Sequence, residues 1–219
     1  LDRVLQAATE TGCVFHEMAG SVYDQPYRTM RQTVAQGVIG EVVQIFAQKS
    51  YPYHDKRPGD ENVDGGLIQQ AGIHAFRFIE HVSGQRIAAV DAVETDLGNP
   101  RGRDGLRMAA SCMMRLENGG VACAVANYFN PPGFGSWGNE HLRLFGTRGM
   151  LEAVDAGART RLVVGENDQG PIDIREPGID YFDLVLNELR GEGEPPLPLE
   201  TELHPTRMVI RAKNAADQE

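Results

Sequence analysis

The spacing of apolar residues changes from about 3.6 to 2 just past Gly84, and that change constrains the fold more than any other feature. Residues 67–83 are the most hydrophobic helical stretch, with Leu67, Ile68, Ala71, Ala75, Phe78, Ile79 and Val82 at a period near 3.6, closed by Gly84. From Ile87 onward the period drops to 2. Residues 87–97, 106–116 and 121–129 read as strands, and 142–145, 150–154 and 161–164 continue the series. A strand is also expected over 41–50, and a polar, Pro- and Gly-bearing loop over 51–64.

Helical patterns lie at the two ends. Residues 25–36 put Tyr27, Met30, Arg31 and Val34 on one face and stop at Gly37. Residues 181–189 would turn Tyr181, Phe182, Val185 and Leu189 inward and stop at Gly191, and a last helix follows from His204 after a Pro-rich linker at 195–198. About seven strands with four or five helices at the two ends predict an α+β fold: a large, mainly antiparallel (mixed) sheet with helices on one face. Ala109-Ala110 and residues 121–126 are apolar at successive positions, so the second sheet face also wants cover. An open sheet face used for oligomerisation is the expectation.

Asn118-Gly119 between two strands predicts a two-residue type I′ hairpin. That register sets 117 opposite 120 and 112 opposite 125. Cys112 and Cys123 would then be diagonal neighbours on one face, as buried small side chains rather than a redox pair.

The start of the chain reads as a helix without its beginning. Leu1, Val4, Leu5 and Ala8 share a face, Gly12 ends it, no N-cap residue precedes Leu1, and Cys13-Val14-Phe15 resembles a short buried strand. The expectation is the tail of something longer; a frayed terminus is the alternative.

Composition excludes several functions. With 21 basic against 31 acidic residues and a net charge of −10, the chain is a poor partner for a phosphate backbone, so no nucleic acid is expected. No run of 18 apolar residues exists, so no membrane span is expected. Cys13, Cys112 and Cys123 show no CxxC or Cys/His metal spacing, which suits a reducing, cytoplasmic compartment.

Two motifs invite chemistry. Gly133-Phe134-Gly135-Ser136-Trp137-Gly138 matches GxGxxG, but Pro131-Pro132 stands before it and a strand-like run follows, so no helix start is at hand for a pyrophosphate. It reads as a strand-to-strand loop. On the 67–83 helix, Gln70, His74, Arg77 and His81 form a polar stripe that either faces solvent or lines a cleft. Gly65-Gly66 before it admits close approach by a backbone or ligand, and Gly72 inside it suggests tight packing. His74 and His81 are two turns apart, about 10.5 Å of rise, too far to share a zinc ion. No metal site is expected.

Four stretches in this order resemble the C-terminal domain of the Gfo/Idh/MocA oxidoreductases: AQGVIGEVV at 35–43, Gly65-Gly66 through Gly72-Ile73-His74, LENGGV at 116–121 and LFGTRG at 144–149. The resemblance implies a two-domain enzyme whose Rossmann half binds NAD or NADP. The other half would supply the sheet, the substrate pocket and the face of a homodimer or homotetramer. Residues 1–20 would be the remnant of the nucleotide-binding half and 21–219 the α+β substrate-binding domain, inactive by itself. The reaction implied is hydride transfer between nicotinamide and a hydroxyl-bearing carbon of a sugar, cyclitol or related polyol.

The family's His falls on His74 as the catalytic base, while the family's Asp falls on Gln70, which cannot be a base and would bind a substrate hydroxyl. Arg77 joins it from the stripe. The family's substrate loop maps near 51–64 and offers Lys56 and Arg57, and the family's Glu-Lys-Pro lysine would lie before Leu1. Gln70 also favours a rival, a non-catalytic ligand-sensing or assembly module of the same fold. A metal-dependent isomerase is a third reading.

Overall fold

The computed structural model describes residues 1–102 and 105–218. Helices α1 (Asp2–Thr11) and α2 (Tyr27–Ala35) precede strand β1 (Val42–Ser50) and a long helix over 66–83, α3. The strand series follows as β2 (Ile87–Thr95), β3 (Ala109–Leu116), β4 (Val121–Asn127), β5 (Asn139–Gly146), β6 (Gly149–Val154), β7 (Arg159–Val164) and β8 (Asn167–Gly170). Helices α4 (Tyr181–Leu189) and α5 (Leu199–Ala216) close the chain.

The strands make one sheet in the order β2-β3-β4-β1-β5-β6-β7-β8. β1 runs parallel to β4, and every other neighbouring pair is antiparallel. This is the α+β fold with a mixed, mainly antiparallel sheet that the change of period predicts. β8 is the strand not foreseen, because Asn-Asp-Gln-Gly carries no apolar residue to show a period. On the inner face Ile45, Ala47, Ala122, Ala124, Ala126, Leu142 and Leu144 are buried, and α3 covers them with Leu67, Ile68, Ala71, Ala75, Phe76 and Ile79. α5 packs beside it on β2. The outer face is not covered: Val93, Met113, Val121 and Phe145 stand exposed.

Helix α3 is not a plain α-helix. An α-helical turn, Ile73–Arg77, is flanked by π-helical segments Ile68–Gly72 and Phe78–Val82. Each π turn holds more residues than an α turn, so side chains at i, i+4, i+7 and i+11 no longer share a face. The stripe read from the sequence is therefore split. Gln70 is exposed, His74 half-buried, and Arg77 and His81 buried.

His81 has a structural task that its position explains. Pro205 sits inside α5 and has no N–H to give the Thr201 carbonyl. His81 Nε2 lies 2.9 Å from that oxygen and donates to it.

Four local expectations are corrected. Residues 13–15 are not a strand: they pair with no neighbour, and Cys13 and Val14 are exposed. The Asn118-Gly119 turn is not type I′, since only Gly119 has positive φ, and Leu116 N–H donates to Gly120 O across a three-residue loop. The register moves by one, pairing Cys112 with Ala124 and Met113 with Cys123. A one-residue slip exchanges faces, so Cys112 is buried on the inner face and Cys123 lies on the outer one.

In α4, Tyr181 and Val185 do turn inward, joined by Leu184, but Phe182 and Leu189 are exposed. At about 100° per residue, Phe182 and Leu189 sit about 80–100° round from Tyr181. Finally, Gly72 is not forced by packing. A Cβ there would meet Ile68 and Ala126 at 3.8 and 4.0 Å, ordinary contact, with helical φ of −60°. Gly72→Ala is accordingly expected to raise stability by up to about 1 kcal/mol. A lower urea midpoint would show that the helix needs the glycine after all.

Candidate functional site

The site forms where β1 ends under α3. Strand alternation puts Ile45, Ala47 and then Lys49 on the inner face, so an ammonium arrives where the preceding side chains are apolar; it is 7% exposed. Lys49 faces Glu140 across the β1/β5 ladder and pairs with it. Its Nζ lies 4.7 Å from the centre of the Tyr51 ring. The Tyr51 hydroxyl in turn lies 3.0 Å from His74 Nε2, with the two rings perpendicular. Trp137, from the β4–β5 connection, leans on Tyr51 and on His54, with ring centres 6.3 and 5.9 Å away.

The charges around these groups set their states. Burial, with Lys49 and Arg77 adding positive charge, pushes His74 down to about 4, so its imidazole is neutral at ordinary pH. Burial raises Tyr51 above its usual value, against the pull of Arg57 and Arg77. A neutral imidazole can accept the Tyr51 O–H at Nε2, which leaves the phenol oxygen's lone pairs for a second hydroxyl.

Burial also lowers Lys49 to about 8 from 10.5. The folded chain then holds this proton less tightly than the unfolded chain does. Between those two values the unfolded state binds more protons, so stability rises with pH across that window. In Lys49→Met that part of the rise is expected to vanish from urea unfolding measured at pH 8 to 10; equal slopes in variant and parent would contradict the assignment.

Of the residues singled out from the sequence, the structure brings only His74 into this cluster. Gln70 points outward and donates to the Asp64 carbonyl at 2.8 Å. Arg77 pairs with Glu17 at 2.8 Å and reaches His74 only through its charge. Arg57 is buried, donates to the Tyr128 hydroxyl at 2.9 Å and lies 3.8 Å over that ring, so it anchors the 51–64 loop from inside. Lys56 is exposed on the same loop. The Gly65-Gly66 pair has positive φ at both residues, and a Cβ on Gly66 would meet the Glu61 carboxylate at 2.6 Å, so the close approach is by Glu61.

Sequence reading missed Lys49, Tyr51, Glu140 and Trp137. The one available signal was the lysine at an inward position of an otherwise apolar alternation.

The Gly133–Gly138 motif runs through a 3-10 turn, Pro132–Phe134, straight into β5, with no helix behind it. These residues do not fit a dinucleotide. No group of three or more His, Cys, Asp or Glu among the described residues could hold a metal ion.

A profile of the GFO/IDH/MocA C-terminal domain matches residues 27–152. The chain belongs to this family. Solved structures agree. An assigned oxidoreductase of Thermotoga maritima superposes with TM-score 0.85 at 27% identity, over 98% of this chain and 65% of that one. The aldose-aldose oxidoreductase of Caulobacter crescentus, complexed with glycerol, gives 0.80 at 17% identity over 98% and 65%. An assigned NADPH-dependent oxidoreductase of Desulfitobacterium hafniense gives 0.80 at 19% over 99% and 67%. The chain thus spans about two thirds of the length of these relatives. No curated protein matches the sequence. Among the described residues of this GFO/IDH/MocA domain, no helix is long and apolar enough to cross a membrane.

Proposed function

We propose that this chain is the substrate-binding part of an NAD(P)-dependent oxidoreductase acting on a hydroxyl-bearing carbon of a sugar, cyclitol or related polyol. The observation that carries the reading is the Tyr51 hydroxyl on the neutral His74 imidazole, beside the buried Lys49. Oxidising an alcohol carbon requires its hydroxyl proton to go to a positioned acceptor. Here the substrate hydroxyl donates to the Tyr51 oxygen while the Tyr51 proton passes to His74 Nε2, leaving an imidazolium. Lys49, held by Glu140, presents a positive charge to the oxygen that loses its proton. The nicotinamide would be held by residues outside this chain, and α1, which is amphipathic yet buries no residue, is the surface proposed to meet them. Residues 1–20 then form the seam and 21–219 the substrate domain.

The exposed apolar outer sheet face is assigned to a homodimer or homotetramer. Three free thiols accord with a cytoplasmic setting. A non-catalytic module of the same fold is the second reading, favoured by Gln70 at the family's acidic position.

Calorimetric titration of the chain tests the reading, with D-glucose and myo-inositol as probes and NADH as control. The sugars are expected to bind and NADH not to. Tyr51→Phe should weaken sugar binding about tenfold, the loss of one buried hydrogen-bonding hydroxyl. Tight NADH binding would overturn the division of labour, and unchanged sugar affinity in Tyr51→Phe would remove the Tyr51–His74 pair from the site.

A further inference from the structure

We infer that Trp137 is the specificity-determining wall of this site, and that it selects cyclic substrates, pyranoses and cyclitols, over open-chain polyols. The inference rests on the hydroxyl-carbon reading above and goes further by fixing the shape of the substrate.

A single exposed tryptophan means little by itself. Trp137 is the only tryptophan of the chain, it is 58% exposed, and its surroundings hold it in place. Asn130, 4% exposed, donates through Nδ2 to the carbonyls of both Ser136 and Trp137, at 2.9 and 3.0 Å, so the loop backbone is tied to the end of β4. On the other side Gly138 lets the loop settle directly on the Lys49–Glu140 pair: a Cβ there would lie 2.8 Å from both Lys49 Nζ and Glu140 Oε1. The indole is inclined 44° to the Tyr51 ring and 36° to the His54 ring. The backbone that carries the indole is therefore held in place, and the indole leans on the Tyr51 ring, whose hydroxyl is the one proposed to meet the substrate.

The chemistry of that surface identifies its occupant. An indole face is apolar and carries the negative side of the ring quadrupole. A six-membered ring with mostly equatorial hydroxyls shows on its flat side a patch of axial C–H bonds, each polarised positive by the oxygen on its carbon. Such a patch lies flush on the indole while the ring's edge turns a hydroxyl to Tyr51. An open-chain polyol has the same hydroxyls but no fixed flat side. It must order several torsions to present one, and that entropy is lost on binding.

Calorimetry of the purified chain decides the matter, with D-glucose and myo-inositol as cyclic probes and D-glucitol and xylitol as open-chain probes. The parent chain is expected to prefer the cyclic probes, and these alone should shift the emission of its single tryptophan. Trp137→Ala should lose about tenfold or more of the affinity for cyclic probes, the scale of an aromatic anchor, and leave the open-chain probes unchanged. Trp137→Phe, which keeps an aromatic face, should stay within about threefold of the parent. Unchanged urea midpoints verify that both variants fold. Equal loss for both probe classes, or no loss in Trp137→Ala, overturns the inference. If Tyr51→Phe weakens the cyclic probes while Trp137→Ala does not, the hydroxyl site stands and only the wall fails. If no probe of either class binds, the proposed function fails and the inference with it.

Discussion

In an oxidoreductase of the proposed kind that carries this domain, His74→Ala is expected to lower kcat by about 10²–10⁴-fold, the usual contribution of a positioned general base. The reason is geometric before it is electrostatic. His74 Nε2 lies 3.0 Å from the Tyr51 hydroxyl, and in the proposed mechanism it is the acceptor that lets the phenol take a proton from a substrate hydroxyl. Alanine leaves the Tyr51 O–H without that acceptor and closes the path. KM should change much less than kcat, because Tyr51 is the group proposed to touch the substrate. His74→Gln separates two roles, since an amide can accept the Tyr51 hydrogen bond but cannot carry the proton away; it should be nearly as slow as alanine.

The pH profile supplies an independent check. Burial, with Lys49 and Arg77, holds His74 at about 4, so its acceptor form is fully present well above that value. The rate should therefore show no inflection near 6.5, where an ordinary histidine titrates. A His74→Ala enzyme with near-parental kcat would remove His74 from the mechanism.

The largest structural effect is expected from Phe76→Ala, at about 3–5 kcal/mol of lost stability. Phe76 is completely buried in the α-helical turn of α3, two residues from His74. Its ring belongs to the same hydrophobic core as the inner sheet face. Deleting a fully buried ring leaves a cavity, and its cost adds to the transfer term. Urea unfolding measures it directly. A loss under about 1 kcal/mol would mean that the core closes around the deletion.

How much of this was legible in the sequence depends on whether periodicity carried the information. The hydrophobic helix over 66–83 and the strands after it were legible because burial on one face writes its own period. The hairpin at Asn118-Gly119 was legible as a turn but not in register, since the same dipeptide serves two-residue and three-residue loops and one residue separates their outcomes. The π-helical segments were invisible, because apolar spacing does not distinguish them from an α-helix over so few turns. That is why the 70–81 stripe read as one face.

His74 was found through its helix and the glycines before it. Lys49 was written as part of a strand and Tyr51 as the first residue of a loop, and Trp137 lies in a loop too, where no period exists to mark an outlier. Arg57 shows the converse: a charged loop residue in the right segment that the fold turns inward onto Tyr128.

The π-helical turn at Ile68–Gly72 has a consequence for how this helix can change over generations. A π turn is an α-helix carrying one surplus residue. A codon lost from that stretch would not break the helix; it would let the turn relax to α geometry. What it would change is azimuth, turning His74 by about 100° relative to the residues before the deletion. The His74–Tyr51 contact, catalytic in the proposed function, is therefore more fragile to a single-residue deletion than the helix that carries it. A lineage could lose the chemistry and keep the fold in one step.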